Sequence, residues 1–223
     1  MSKIQSSGGR KIRAGEPGDA SGSKGAETRR IILHHGVQTA YEVGLNGLSI
    51  GHLALVSGMS KSGLFAHFRS KEGLQLAVLD AARSDFIDTV IRPTLAERRG
   101  EPRVRALFEN WLECGIVRQP GGCLFVKAAT ELDEQPGPVR DQLVQDHRDL
   151  DDTIAQVFRT GITERHFRAD ADPYQFTHDL NGVMLAFYHS HRLLNDQSAE
   201  ARARRAFEVL LDAVRIPSRH HQT

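Results

Sequence analysis

The chain has only two cysteines in 223 residues, Cys114 and Cys123, too few for a disulfide framework. It has no apolar run near the roughly 20 residues that a bilayer-spanning helix needs. Its first residues lack the apolar core of a secretory signal. These absences predict a cytoplasmic location and no membrane partner. The chain also lacks a Walker A loop, a nucleophile elbow and a zinc-hydrolase histidine pair. Its 11 histidines include His34 beside His35, and His189 two residues before His191. Neither pair shares a helix face. His166 and His178 lack partners at suitable spacing, so neither a metal nor another cofactor is expected. No segment alternates as a strand and no unit repeats. What remains is an all-α chain of ordinary globular composition, 39% hydrophobic and 26% charged. Without a catalytic constellation, it is not expected to be an enzyme.

The net charge of +1 conceals an asymmetry. Residues 1–72 hold ten Lys/Arg against five Asp/Glu, whereas residues 73–223 hold 19 against 23. A basic N-terminal third beside an acidic remainder fits a DNA-facing segment, because phosphate backbones demand positive charge. Residues 1–24 are rich in Gly, Ser and Lys/Arg without an apolar face, and read as a disordered basic arm.

Residues 49–74 carry the densest local signal. Ser49 is a good N-cap for a short helix that buries Leu53, Ala54 and Val56. Ser57-Gly58-Met59 makes a turn. Ser60 caps a second short helix bearing Lys61, Ser62, Leu64, Phe65 and His67. In a helix-turn-helix the second helix enters the major groove and its first residues reach base edges. Lys61 and Ser62 can donate there, and Gly63 lets the backbone approach the groove. His67 and Lys71 are placed for phosphate, and Arg29 and Arg30 for the flanking backbone. Ser49 and Ser60 read either as pure caps or as caps that also touch DNA. Phe65 reads as core or as an apolar contact to a thymine methyl. Leu53, Leu64 and Phe68 read as the core of this small unit.

Leu53-Ala54, Gly58-Met59-Ser60-Lys61, Leu64-Phe65 and His67-Phe68-Arg69-Ser70-Lys71-Glu72-Gly73-Leu74 closely resemble the DNA-binding domain of TetR/AcrR-type transcriptional regulators. The resemblance is specific over residues 26–75. Phe65 stands where the family usually has Tyr, removing a hydroxyl from the phosphate contacts. Ser57 replaces a usual Ala.

The remaining pattern is helical. A first helix is expected over Ala26–Val43 with a stripe of Ile31, Ile32, His35, Thr39 and Val43, ended by Gly44-Leu45-Asn46-Gly47. Lys71–Ile91 follows the reader, with Leu74, Val78, Ala81, Phe86 and Val90 inward and Pro93 at its end. It would link reader and second domain mechanically. Further helices are expected over Glu101–Arg118, Cys123–Leu132, Val139–Thr163, residues 173–194 and Ser198–Val214. The expected division is a basic arm at 1–24, a helix-turn-helix domain at 25–72, a larger helical domain at 73–216 and a tail at 217–223.

The resemblance implies that the larger domain binds an effector. Candidate pocket residues are Phe108, Trp111, Leu112, Phe125, Phe158, Met184, Phe187 and Tyr188, each equally readable as plain core. Gly182 and Ala186 place small residues four apart on the penultimate helix, which suits close helix approach within one chain or between two. The resemblance implies a homodimer through the last two helices, with Gly182, Ala186, Phe207 and Leu211 as interface candidates. Cys123 opens a helix after two glycines and reads as a redox-sensing thiol or a small buried residue.

The expected function is a homodimeric transcriptional regulator, a repressor by analogy with the family. Its partners would be a pseudo-palindromic double-stranded DNA operator and a small-molecule effector that releases it. The rivals are a non-specific architectural DNA-binding protein, and a helical enzyme or carrier that only mimics the DNA reader.

Overall fold

The computed structural model describes residues 20–117 and 122–217. Most of the expected basic arm (residues 1–19) and of the tail (218–223) lies outside them. Among the described residues the regular secondary structure is helical, apart from one isolated antiparallel bridge between Phe167 and Arg215. The helices are α1 (Ala20–Val43), α2 (Ile50–Val56), α3 (Lys61–Phe68), α4 (Lys71–Phe86), α5 (Arg92–Ala96), α6 (Glu101–Val117), α7 (Leu124–Leu132), α8 (Pro138–Thr163), α9 (Pro173–Tyr188) and α10 (Ala199–Val214). No helix among the described residues is long and apolar enough to cross a membrane.

Local chemistry fixes many of the boundaries. Ser49, Ser60 and Ser70 each accept a hydrogen bond from a backbone N–H three residues on, capping α2, α3 and α4. Asp172 does the same for α9, with Pro173 in the first turn where its missing N–H costs nothing. Gly137 and Pro138 open α8.

Four expectations need correction. The backbone of α1 is already helical at Ala20, six residues before the expected start. Its buried stripe is also rotated: Ile32, Gly36, Thr39, Ala40 and Tyr41 face inward, while Ile31 and Val43 are exposed. Gly36 explains the rotation, because a β-carbon there would stand 2.8 Å from Val78 on α4. The two helices approach through that missing side chain. Val56, expected in the core of α2, is exposed as well. Finally, Pro93 does not end the helix that follows the reader. A π-helical turn at Ile87–Ile91 continues α4, and Pro93 falls in the first turn of α5, where it needs no acceptor.

Two apolar clusters hold the chain together. The first combines Ile32, Leu53, Leu64, Phe68, Leu74 and Val78 with Leu124, Ala128 and Leu132 of α7 and Val139 and Leu143 of α8. The second is built around Phe108, Trp111, Phe158, Phe167, Phe176, Phe187 and Phe207. Phe125 packs against both. Beside the second cluster, Arg215 donates to both oxygens of Glu101, at 3.0 and 2.5 Å, tying α10 to the start of α6. Arg215, and then Arg105 at 2.8 Å, hold the Glu101 carboxyl down to about 2 against the opposing effect of burial.

Candidate nucleic-acid interface and interhelical cavity

The helix-turn-helix is assembled by short-range bonds. Ser57 N–H returns to the Leu53 carbonyl and Met59 N–H to the Ala54 carbonyl, closing the turn after α2. Leu64 and Phe68 bury one face of α3. The other face presents Lys61, Ser62 and Phe65, with Gly63 and His67 half-buried beside them. Phe65 is 54% exposed and so belongs to the outer surface of α3, not to the core.

The other candidate DNA contacts already have intramolecular work. Ser49 and Ser60 cap their helices, and the Ser60 hydroxyl also meets that of Ser62 at 3.1 Å. The Lys71 ammonium donates to the Asn46 carbonyl at 2.7 Å, pinning the α1–α2 turn to the start of α4. Arg30 pairs with Glu27 at 2.7 Å, and Arg29 lies over the Phe68 ring at 5.5 Å. All five side chains remain exposed.

A cavity of ≈ 320 Å³ lies between α4, α6, α7, α8 and α9. Of the candidate pocket residues, Trp111, Phe125 and Met184 line it, and so does Cys123. Phe108, Leu112, Phe158, Phe187 and Tyr188 do not line it; they are core. Phe108 stacks on Phe207 at 4.0 Å, Phe158 stacks on Phe167 and Phe176, and Phe187 stacks on His191 at 5.2 Å.

Several polar lining residues were not anticipated: Arg83, Asp146, His147, Asp149, Asp151 and Asn181. One of them left a signal in the sequence. Asp146 falls on the buried stripe Val139, Leu143, Asp146, Ile154, with Leu150 partly buried beside it, where an apolar residue is the default. Arg83 donates to Asp149 at 3.0 Å and reaches Asp146 at 3.5 Å. Burial pushes the Asp146 carboxyl above the ordinary carboxylate range, opposed by the Gln142 hydrogen bond and by Arg83.

Helix α7 joins cavity and reader. Cys123, at its N-cap, and Phe125 and Val126, in its first turn, line the cavity. Lys127 donates to the carbonyls of Tyr41 and Glu42, at 2.7 and 3.1 Å. These carbonyls belong to the last turn of α1, where a cation suits the helix dipole. One turn on, the Glu131 carboxylate accepts the Asn46 N–H at 3.0 Å. Gly44, at φ +80°, leaves room for that carboxylate; a β-carbon there would collide with it.

The outward face of the last two helices is only partly as expected. Gly182 and Ala186 are exposed, together with Leu185 and, on α10, Val209. Phe207 and Leu211 are not on that face. Phe207 is 1% exposed and Leu211 fully buried, both facing the chain's own core, because α10 turns its apolar stripe onto α6 and α9.

Comparison with known proteins matches residues 32–78 to "Bacterial regulatory proteins, tetR family" and residues 100–207 to "Tetracyclin repressor-like, C-terminal domain". No curated protein matches. A TetR transcriptional regulator from Chloroflexus aurantiacus superposes with a TM-score of 0.77 at 22% identity, covering 87% of this chain and 100% of that one. A transcriptional regulator from Saccharomonospora viridis, solved with choline, gives 0.70 at 18% identity, covering 86% and 100%. AibR, solved with isovaleryl coenzyme A and operator DNA, gives 0.65 at 19% identity, also covering 86% and 100%. With a capped helix-turn-helix opening into α4 and a larger helical domain behind it, the chain belongs to the TetR family of bacterial transcriptional regulators.

Proposed function

We propose that this chain is a homodimeric repressor that reads a pseudo-palindromic operator through α3 and is released by a small molecule bound in the interhelical cavity. The observation that carries this reading is the position of α7, which lines the cavity at one end and grips the reading unit through Lys127 and Glu131 further along. A ligand that moves Phe125 or Val126 acts on a helix already bonded to the end of α1 and to the α1–α2 turn. Release requires that the ligand bind the non-reading state more tightly than the reading state. The solved relatives add support: one was captured with both a coenzyme A thioester and operator DNA, another with choline.

Within α3, Lys61, Ser62 and Phe65 are the proposed base-edge contacts, with Gly63 at closest backbone approach and His67 toward phosphate. Arg29, Arg30, Ser49, Ser60 and Lys71 are proposed as backbone contacts that also hold the reader's shape.

The decisive experiment is fluorescence-anisotropy binding to DNA flanking the protein's own gene and to scrambled DNA, over a salt series. Tight binding to the flanking DNA alone is the expected result. Equal, steeply salt-dependent binding to both would favour an architectural protein. No binding to either at low salt would return the chain to the carrier reading.

The dimer has its own test at Gly182. A β-carbon there meets no atom of the same chain within 4 Å, so the monomer accommodates a side chain. Gly182→Leu replaces a poor helix former, which favours the isolated helix by roughly 1 kcal/mol. It should nevertheless shift sedimentation toward monomer, by obstructing close approach of a second α9. An unchanged dimer would remove Gly182 and Ala186 from the interface.

A further inference from the structure

The cavity carries more polar chemistry than an apolar ligand needs. Three carboxylates line it, Asp146, Asp149 and Asp151, against one guanidinium, Arg83. That guanidinium is already divided between Asp149 and Asp146. Among the described residues, Asp151 accepts only from the neutral amide of Asn181, at 2.8 Å. Negative charge is therefore in excess around a part-open, largely apolar space.

The Asp146 side chain is 2% exposed. Its Oδ1 accepts from Gln142 at 2.9 Å, but among the described residues its Oδ2 has no hydrogen-bond partner. The two other buried polar side-chain atoms without a partner among the described residues are Trp111 Nε1 and His147 Nε2, and both of those residues line the same cavity. A buried polar atom left unsatisfied costs about 1–3 kcal/mol; of these three, the Asp146 oxygen is the acceptor that a cation matches, whereas the Trp111 N–H is a donor and does not bear on the ligand's charge.

The rings set the walls. Trp111 meets Phe86 at 85°, Phe86 meets Phe125 at 66°, and Phe125 meets His147 at 84°. Rings joined edge to face turn their faces in different directions around a shared space. Aromatic faces with a nearby carboxylate are the recognition chemistry of an organic cation.

We propose that the ligand of this cavity is a compact organic cation, its ammonium or amidinium charge matched by Asp146 and Asp149 and its apolar body held against Phe86, Trp111 and Phe125. The assignment rests on the effector reading given above and names the effector's chemical class. An anion would meet an acidic lining whose single cation is already paired. A neutral hydrocarbon would add no positive charge to a lining in which three carboxylates face one guanidinium. The volume lies at the small end of ligand sites, which excludes a large lipid-like molecule.

Trp111 is the only tryptophan in the chain, so its emission reports on this cavity. The test titrates the full-length protein with three probes of similar size: benzyltrimethylammonium, its uncharged carbon isostere neopentylbenzene, and the anion 3-phenylpropanoate. The cation should bind about tenfold or more tighter than either other probe, one decade being 1.4 kcal/mol. In Asp146→Asn the cation should lose about tenfold while neopentylbenzene changes by less than about threefold, which also reports an intact cavity. Asp151→Asn provides a second neutralisation away from the buried Asp146 and should lower cation affinity in the same direction. Equal or weaker binding of the cation in the unmodified protein, or no binding by any probe, overturns the assignment. Anisotropy on flanking DNA with the same sample separates the two readings. Selective DNA binding without cation preference sinks only the ligand class, whereas cation preference without selective DNA binding sinks the regulator.

Discussion

Phe158→Ala is expected to lower stability by about 3–5 kcal/mol, the range for truncating a buried phenylalanine. Phe158 has no exposed surface and sits in a three-ring stack. It meets Phe167 at 4.8 Å and Phe176 at 4.3 Å, both nearly parallel to it. Truncation removes the middle ring, so both neighbours lose a face. Little can move in to compensate, because Phe167 is fixed by the bridge to Arg215 and Phe176 by the capped start of α9. Urea unfolding at fixed protein concentration checks this: the midpoint should fall with the slope unchanged. A loss under about 1 kcal/mol would mean that the stack contributes no more than an ordinary surface contact.

The second large effect is expected at Lys127. Replacement by alanine strips the Tyr41 and Glu42 carbonyls of their ammonium donor. Charge-assisted bonds of this kind are worth about 1.5–3 kcal/mol. The larger consequence is functional. In Lys127→Ala the ligand-induced change in operator affinity should collapse to less than about twofold, from the 5–150-fold usual for coupled sites. Ligand binding itself, read from Trp111, should persist, since Lys127 does not line the cavity. Anisotropy with and without a compound that quenches Trp111 makes the comparison. Full retention of the response would place the coupling in α4 alone and remove α7 from it.

The sequence made the reader legible because its determinants are local. Ser49, Ser60, Leu53, Leu64 and the string from His67 to Leu74 lie within a few residues of the atoms they control. The grip of α7 was not legible. Lys127 and Tyr41 are 86 residues apart, as are the carbonyls and turn around them to within one residue. An exposed-looking lysine in a short helix gives no hint of that distance. Periodicity likewise found the aromatic core but could not separate Phe108 and Phe158, locked in stacks, from Trp111 and Phe125, at a cavity wall. The separation depends on how five helices meet. The direction of α10 was missed for a related reason. An apolar stripe fits a partner helix or the chain's own core equally well, and Phe207 met the core through Phe108.

The first apolar cluster does not follow chain order: α7 and the start of α8 supply part of the core beneath α1 to α4. The reading head is therefore not a detachable module. A chimera that exchanged only residues 25–72 would transplant one wall of a shared interior and leave Leu124, Ala128, Leu132, Val139 and Leu143 shaped for the wall that was removed. On the proposed reading, an exchange of DNA specificity would fall on the outer face of α3, where the exposed Lys61, Ser62 and Phe65 can change without reaching that interior.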